Sequence, residues 1–239
     1  MYFFLHIPKS AGTSVKTTIA ENSKKIAHKD ILDISNRETS DLILDRNNKK
    51  LVVGHYGVDF IQQHFRQGDK KLTFLRSPES RLLSMYNYWS SGQASTSSSK
   101  SSEGLSLVEF LKCENTSRLE QIDNIQTWLI ASDYRFSQRE RLKSLKPWEL
   151  LSLAKFNLMQ FDFIGFQEYY DSSMLRLGNI LDFEYKKTSP INETKLKNVI
   201  ICDESRSLIK PFIYLDNELY AFALRLAKER GWLSNPTKK

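Results

Sequence analysis

The chain has 239 residues, of which 40% are hydrophobic and 26% charged, a composition typical of a folded, water-soluble protein. The length suits one globular domain over residues 1–239, and no apolar run is long enough to span a bilayer or serve as a secretory signal, so we expect a cytoplasmic protein. Cys113 and Cys202 match neither a metal-ligand spacing nor a redox pair, which excludes a disulfide framework. The net charge of +7 favours an anionic partner.

The hydrophobic pattern predicts strands and helices that alternate along the chain. The first strand covers residues 2–7 and ends at Pro8, and the helix that follows it would be capped by Thr13 or Ser14. Residues 22–50 are polar and have no clear pattern. The other predicted strands are 51–53, 71–75 and 161–166, and the other predicted helices are 60–65, 78–89, 117–131, 147–159, 168–181 and 215–230.

This alternation predicts an α/β fold of the three-layer, P-loop-like type, with a central, mostly parallel sheet flanked by helices. In such sheets, ligands bind at the carboxyl ends of the strands. Three polar segments begin at predicted strand ends, at residues 8–14, 54–57 and 76–84, and we expect them to meet at one edge of the sheet. The serine-rich segment 90–104 is predicted to be a flexible surface loop within this single domain.

The segment after the first strand has the features of a phosphate-binding loop. A strand runs into small residues and then into a helix, so backbone N–H groups and a helix N-terminus would face an anion. Lys9 adds a positive charge, but it precedes Gly12, unlike the lysine of a Walker A motif. The predicted anion-binding residues are Pro8, Lys9, Ser10, Ala11, Gly12, Thr13 and Ser14.

A second anion site is predicted after the strand at 71–75. Arg76 leaves the strand, and Ser77 with Pro78 would start a helix in which Ser84 lies two turns further on. The Arg76 guanidinium and the Ser84 hydroxyl suit a second phosphate. An arginine here also replaces the acidic residue that would hold Mg²⁺ in a P-loop kinase, so a metal-dependent kinase is disfavoured.

Together, residues 4–15 and 72–88 resemble the two donor-binding motifs of the sulfotransferase superfamily, which uses 3′-phosphoadenosine 5′-phosphosulfate (PAPS). The first is similar to the 5′-phosphosulfate loop of the Golgi-type carbohydrate sulfotransferases. The second is similar to their 3′-phosphate-binding motif Leu-Arg-(Asp/Asn/Glu)-Pro-x-x-Arg-x-x-Ser. Segments 161–168 and 215–230 resemble further parts of the family. Ala11 stands where the family often has glycine, so a positive φ there would be strained.

The resemblance implies PAPS as the sulfuryl donor and 3′-phosphoadenosine 5′-phosphate (PAP) as the product, without a metal. The Gly54-His55 pair resembles the catalytic segment of the 2-O-sulfotransferase branch, and a histidine in a small-residue turn suits a general base near neutral pH. Lys9 would stabilise charge on the oxygen that bridges sulfur and the 5′-phosphate. Asn124, Gln126 and Thr127 resemble a family segment that would face the donor or the acceptor.

The family resemblance further implies a saccharide or glycan hydroxyl as the acceptor, and the missing membrane anchor suggests a soluble, bacterial-type enzyme. Two alternatives remain open, a P-loop kinase that phosphorylates a small molecule and a non-catalytic polyanion-binding protein. Because the basic residues are scattered in short pairs and not clustered on one segment, we expect no nucleic-acid partner. The oligomeric state does not follow from the sequence.

Overall fold

In the computed structural model, five strands form one parallel sheet in the order β2–β3–β1–β4–β5. The residues that the structure describes are 1–35, 42–93, 100–112, 114–132, 142, 144–186, 199 and 201–233. The strands are β1 (Tyr2–Leu5), β2 (Ile31–Asp33), β3 (Leu51–Gly54), β4 (Lys70–Leu75) and β5 (Phe163–Phe166). Because β1 lies at the centre, the loops that follow β3 and β4 emerge on either side of its carboxyl end.

Helices cover both faces of this sheet, so the predicted α/β fold with a central parallel sheet is confirmed. The described helices are α1 (Gly12–Asn22), α2 (Val58–His64), α3 (Pro78–Ser90), α4 (Leu107–Lys112), α5 (Thr116–Ile122), α6 (Ile125–Ala131), α7 (Pro147–Met159), α8 (Tyr170–Leu181) and α9 (Asp203–Glu229). Short 3₁₀ turns occupy His28–Asp30 and Gln167–Tyr169. As predicted, Pro78 occupies the first turn of its helix.

Alternate residues of β1 are buried in opposite layers, as the two-residue period of a strand requires. Phe3 and Leu5 pack with helices α2, α6, α7 and α9 in one core. Phe4 packs with α1 and α8 in a second core on the other face. A third buried cluster joins α3, α4, α5 and α9 beside the sheet. Strands β1, β3 and β5 are therefore buried on both sides, which explains their nearly continuous apolar sequences.

Three elements differ from the sequence-based predictions. The edge strand Ile31–Asp33 lies in the segment that had no clear pattern, and it is held by pairing with β3. The helix predicted at 117–131 is two helices, because Asn124 adopts a left-handed backbone conformation (φ 43°) between them. The terminal helix begins at Asp203, so it contains Pro211 and is longer than predicted.

The centre of the serine-rich segment, residues 94–99, lies outside the described residues. Ser90 and Gly104 flank this segment, and the N–H of Gly104 donates to the carbonyl of Ser90 at the end of α3 (3.1 Å). Ser102 is fully buried although its neighbours Ser101 and Glu103 are exposed.

Among the described residues, no helix has both the length and the apolar character needed to cross a membrane. The long helix α9 alternates buried positions such as Leu219 and Ala223 with exposed polar ones, which is the pattern of a helix packed on a globular core.

Candidate active site

The loops that follow β1, β3 and β4 meet at the carboxyl edge of the sheet. Leu5 of β1 is in register with Gly54 of β3, and the next N–H, that of His6, donates to the Gly54 carbonyl (2.9 Å). On the other side, the guanidinium of Arg76 donates to the carbonyl of Lys9 (3.1 Å). The three polar segments that were expected to converge therefore lie together.

The loop between β1 and α1 has an irregular backbone that exposes a helix N-terminus. Lys9 and Ala11 both have left-handed conformations, with φ of 66° and 64°. Ala11 is the N-cap of α1, so the prediction that Thr13 or Ser14 caps the helix is wrong; both lie inside its first turn. Alanine has no side-chain acceptor, and the first-turn N–H groups of a helix attract an anion. The hydroxyl of Ser10 is buried in this loop and has no hydrogen-bond partner in the part of the chain that the structure describes.

Lys9 lies beside a second cation and an aromatic ring. Its ammonium is 4.2 Å from the centroid of the Tyr88 ring on α3. Burial and the nearby charge of Arg76 together lower the pKa of Lys9 to about 8. The ammonium is thus partly desolvated and close to a like charge, an arrangement that an anion would stabilise.

The imidazole of His55 is held in one tautomer by the main chain. Its Nδ1 is 2.7 Å from the carbonyl oxygen of His6, and because a carbonyl can only accept, Nδ1 carries the proton. In the neutral ring, Nε2 is then left with a free electron pair. Burial lowers the pKa of His55, and the hydrogen bond to the His6 carbonyl opposes only part of this effect.

The His6 ring packs between the loop and the catalytic candidate. Its centroid is 4.4 Å from that of His55, and it stacks parallel to Phe4. A Cβ at Gly12 would lie 1.9 Å from the His6 ring, so only glycine fits there. Burial and the neighbouring His55 lower the pKa of His6 well below its usual value, which keeps the ring neutral. With the buried Pro8, His6 shapes the start of the loop.

Arg76 follows β4 directly and is fixed through its main chain and its side chain. The amide of Gln126 bonds both its N–H (3.1 Å) and its carbonyl (2.9 Å). Burial lowers the pKa of Arg76, while the carboxylate of Glu168 opposes the shift. That carboxylate also accepts from the N–H of Ser77, the N-cap residue of α3, and from the hydroxyl of Tyr220.

A second arginine lies inside α3 between Arg76 and the predicted Ser84. Arg81 is fully buried, and its three guanidinium nitrogens have no hydrogen-bond partner among the described residues. Burial lowers the pKa of Arg81 to about 10, against the attraction of the buried carboxylate of Asp216, so the guanidinium remains charged near neutral pH. Ser84, one helical turn further on, is also buried. Arg81 is the second arginine of the 3′-phosphate-binding motif that residues 72–88 resemble, and the sequence predicts no separate role for it.

Comparisons with known proteins identify the family of this chain. A model described as "Sulfotransferase family" matches residues 2–223, nearly the whole chain. This chain belongs to the sulfotransferase family. A comparison with curated proteins finds no match. The chain is also similar to a solved structure of a mouse sulfotransferase complexed with PAP, with 10% sequence identity, a TM-score of 0.46 and coverage of 97% of this chain and 88% of that one.

In this sulfotransferase, Asn124, Gln126 and Thr127 do not open onto the site as acceptor-binding residues would. All three side chains are buried. Thr127 donates to Asp216 of α9, Asn124 bonds the main chain of α9, and Gln126 bonds Arg76. Their polar atoms already have protein partners, so these contacts give no support to direct binding of an acceptor. They support a role in holding α6 and Arg76 in place.

The site of the sulfotransferase combines a base with a positively charged surface. His55 presents an acceptor nitrogen, and Lys9, Arg76 and the N-terminus of α1 supply positive charge on the same edge. Tyr88 also lies beside this site, and its position in α3, one turn beyond Ser84, is the sequence signal that places it there. Such a site can deprotonate a hydroxyl and bind a multiply charged anion.

Proposed function

We propose that this sulfotransferase transfers the sulfuryl group of PAPS to a hydroxyl of an acceptor. The observation that carries the proposal is the hydrogen bond from His55 Nδ1 to the His6 carbonyl, which leaves Nε2 as a base beside the Lys9 loop. The proposal accounts for both the basic nitrogen and the concentration of positive charge. It also agrees with the membership of the chain in the sulfotransferase family.

The residues present fit a nucleotide with phosphates at both ends of its ribose. The buried hydroxyl of Ser10, for which the described residues offer no partner, and the N-terminus of α1 suit the 5′-phosphate. Thr13 and Ser14 lie in the first turn of that helix. Arg76 suits the 3′-phosphate, because a guanidinium can donate two parallel hydrogen bonds to it. The rest of the proposed donor site is formed by Pro8, Lys9, Ala11, Gly12 and Ser84.

Bound PAPS would supply an activated sulfuryl group and the PAP leaving group. His55 Nε2 accepts the proton of the acceptor hydroxyl while the hydroxyl oxygen attacks. The ammonium of Lys9 stabilises negative charge on the oxygen that joins sulfur to the 5′-phosphate. The His6 carbonyl keeps the His55 ring oriented as it becomes positively charged, since Nδ1–H donates to it in both protonation states. The remaining residues act by positioning the reactants.

For the acceptor, we propose a saccharide or glycan hydroxyl. Tyr88 is a half-buried aromatic ring beside Lys9, and aromatic faces pack well on sugar rings. The net charge of +7 suits an acidic glycan. Tyr88 contacts Lys9 of the β1–α1 loop, and His55, the proposed base, bonds to His6 at the start of the same loop.

A transfer assay with radiolabelled PAPS tests the proposal. We expect label to move to at least one member of a panel of neutral and acidic saccharides in the presence of EDTA, and to remain on PAPS with His55→Ala. A phenol is included in the same assay. If it is the only acceptor that becomes labelled, the saccharide acceptor is contradicted, whereas sulfuryl transfer from PAPS is supported. Phosphate transfer from ATP that requires Mg²⁺, with no transfer from PAPS, would contradict the function and favour the kinase alternative.

A further inference from the structure

The side-chain amide of Gln126 makes with the main chain of Arg76 the two hydrogen bonds that a neighbouring strand would make within a sheet. Its Oε1 accepts from the N–H of Arg76 (3.1 Å), and its Nε2 donates to the Arg76 carbonyl (2.9 Å). Gln126 is 1% exposed, so water does not compete for these bonds. Both main-chain groups of Arg76, which follows the last residue of β4, are thus satisfied by one amide.

The position of Gln126 is set in turn by a carboxylate from α9. Asp216 accepts from the N–H of Gln126 (3.3 Å) and from both the N–H and the hydroxyl of Thr127 (2.8 Å each). A carboxylate at the first turn of α6 caps that helix and interacts favourably with its dipole. Asp216 is buried and attracts the equally buried Arg81.

The turn of α9 that carries Asp216 is bonded through its main chain to the side chain of Asn124. The Nδ2 of Asn124 donates to the Pro211 carbonyl (3.0 Å), and its Oδ1 accepts from the N–H groups of Leu215 (2.8 Å) and Asp216 (3.2 Å). Its own N–H donates to the Phe212 carbonyl (2.7 Å). A side chain inserted in this way joins α6 to α9 at one fixed register.

We propose that Gln126 is the residue that positions Arg76, and that Asp216 and Asn124 connect this positioning to the terminal helix α9. The inference rests on the proposed function, in which Arg76 binds the 3′-phosphate of the donor. The preference of the enzyme for a nucleotide with a 3′-phosphate then depends on Gln126, although Gln126 itself touches no ligand. Displacement of the Arg76 main chain by a fraction of an ångström misaligns its guanidinium with a phosphate that needs two bonds at once.

The experiment compares the binding of PAP with that of 5′-AMP, which lacks the 3′-phosphate, by calorimetry. Gln126→Met keeps the volume of the side chain and removes both hydrogen bonds. We expect it to weaken PAP binding by about 10-fold, in line with the loss of two buried hydrogen bonds, and to leave 5′-AMP binding unchanged. In the double variant with Arg76→Ala, Gln126→Met should add no further loss, because its effect passes through Arg76.

Asn157 offers a matched control at the other end of α6. It is a buried amide whose Nδ2 donates to the carbonyls of Ile130 (2.9 Å) and Ala131 (3.3 Å). Asn157→Leu should lower the melting temperature by a similar amount and leave the ratio of PAP to 5′-AMP affinity unchanged. If Gln126→Met does not fold, Gln126→Glu provides the same comparison, since its second carboxylate oxygen faces the Arg76 carbonyl with no proton to donate.

The outcomes separate the inference from the function on which it rests. If the wild type and Arg76→Ala differ in PAP affinity as expected but Gln126→Met binds PAP like the wild type, the positioning role is overturned and the donor site stands. The positioning role is also overturned if Gln126→Met loses as much affinity for 5′-AMP as for PAP. It is overturned as well if Asn157→Leu lowers the ratio of PAP to 5′-AMP affinity as much as Gln126→Met does. A wild-type protein without any preference for PAP would overturn the proposed function and the inference with it.

Discussion

The Nδ1 of His55 lies 2.7 Å from the carbonyl oxygen of His6, a contact between the loops after β3 and β1. It couples the candidate base to the loop that carries Lys9. Because the acceptor is a main-chain carbonyl, the tautomer of His55 is set by the fold itself and not by another titrating group. Nε2 is therefore the atom from which base catalysis is expected.

Replacement of His55 tests this role. We expect His55→Ala to lower kcat by ~10²–10⁴-fold, the usual contribution of a general base, with little change in the KM for PAPS. His28→Ala is the matched control, because His28 is an exposed histidine in a short 3₁₀ turn. Turnover by His55→Ala within a few-fold of the wild type would remove His55 from the mechanism.

The dependence of kcat/KM on pH should be bell-shaped. His55 acts as a base only when neutral, so activity falls as the pH drops through its pKa, which burial holds below the usual value. Lys9 acts only when charged, so kcat/KM for PAPS falls as the pH rises above its pKa of about 8. Lys9→Arg should move the alkaline limb to higher pH, because arginine stays charged throughout this range. An alkaline limb that does not move would assign it to another group.

Loss of the charge at Lys9 should affect turnover more than binding. We expect Lys9→Ala to lower kcat by ~10²–10⁴-fold, since the ammonium stabilises charge that develops as the leaving oxygen departs. Lys24→Ala, at an exposed lysine beyond the end of α1, serves as the control. A variant with raised KM and unchanged kcat would show that Lys9 only binds the donor.

Arg76 should govern the affinity for the donor. Arg76→Ala is expected to weaken PAP binding by about 10–100-fold, which corresponds to the loss of charge-assisted hydrogen bonds to one phosphate. Binding of 5′-AMP should stay close to that of the wild type. An unchanged PAP affinity in this variant would refute the assignment of the 3′-phosphate to Arg76.

Two adjacent substitutions at the N-terminus of α1 should have opposite effects on stability. A Cβ at residue 12 would collide with the His6 ring, so Gly12→Ala should lower the free energy of unfolding by ~1–3 kcal/mol. It should also lower kcat, because the displaced His6 ring packs on His55. Ala11→Gly should raise the free energy of unfolding by about 0.5–1 kcal/mol, because Ala11 has a φ of 64° that glycine adopts without strain. Chemical denaturation of both variants measures this. Equal effects of the two changes would contradict the loop geometry.

The parts of the fold that could be predicted are those whose signal is local. β1, β3 and β4 are buried on both faces, so each is a nearly continuous apolar run that stops at its loop. The edge strand Ile31–Asp33 has three partly exposed residues, and only its pairing with β3 makes it a strand. Pro211 would be expected to break a helix, whereas Asn124, distant in sequence, satisfies the main-chain groups around it.

The same distinction applies to the site. Lys9, His55 and Arg76 could be proposed because each follows a strand closely, and parallel strands bring their carboxyl ends to one edge. The bond between Gln126 and Arg76 spans 50 residues, and that between Asp216 and Thr127 spans 89. Because such contacts are set by helix packing and leave no periodic trace in the sequence, a binding role and a positioning role for Gln126 could not be told apart.

The identity of the sulfuryl donor is tested most directly by titration calorimetry with PAP in EDTA, with 5′-AMP and ATP as controls. We expect micromolar binding of PAP that requires the 3′-phosphate and no metal, with much weaker binding of 5′-AMP. ATP that binds only with Mg²⁺, together with no detectable binding of PAP, would contradict it.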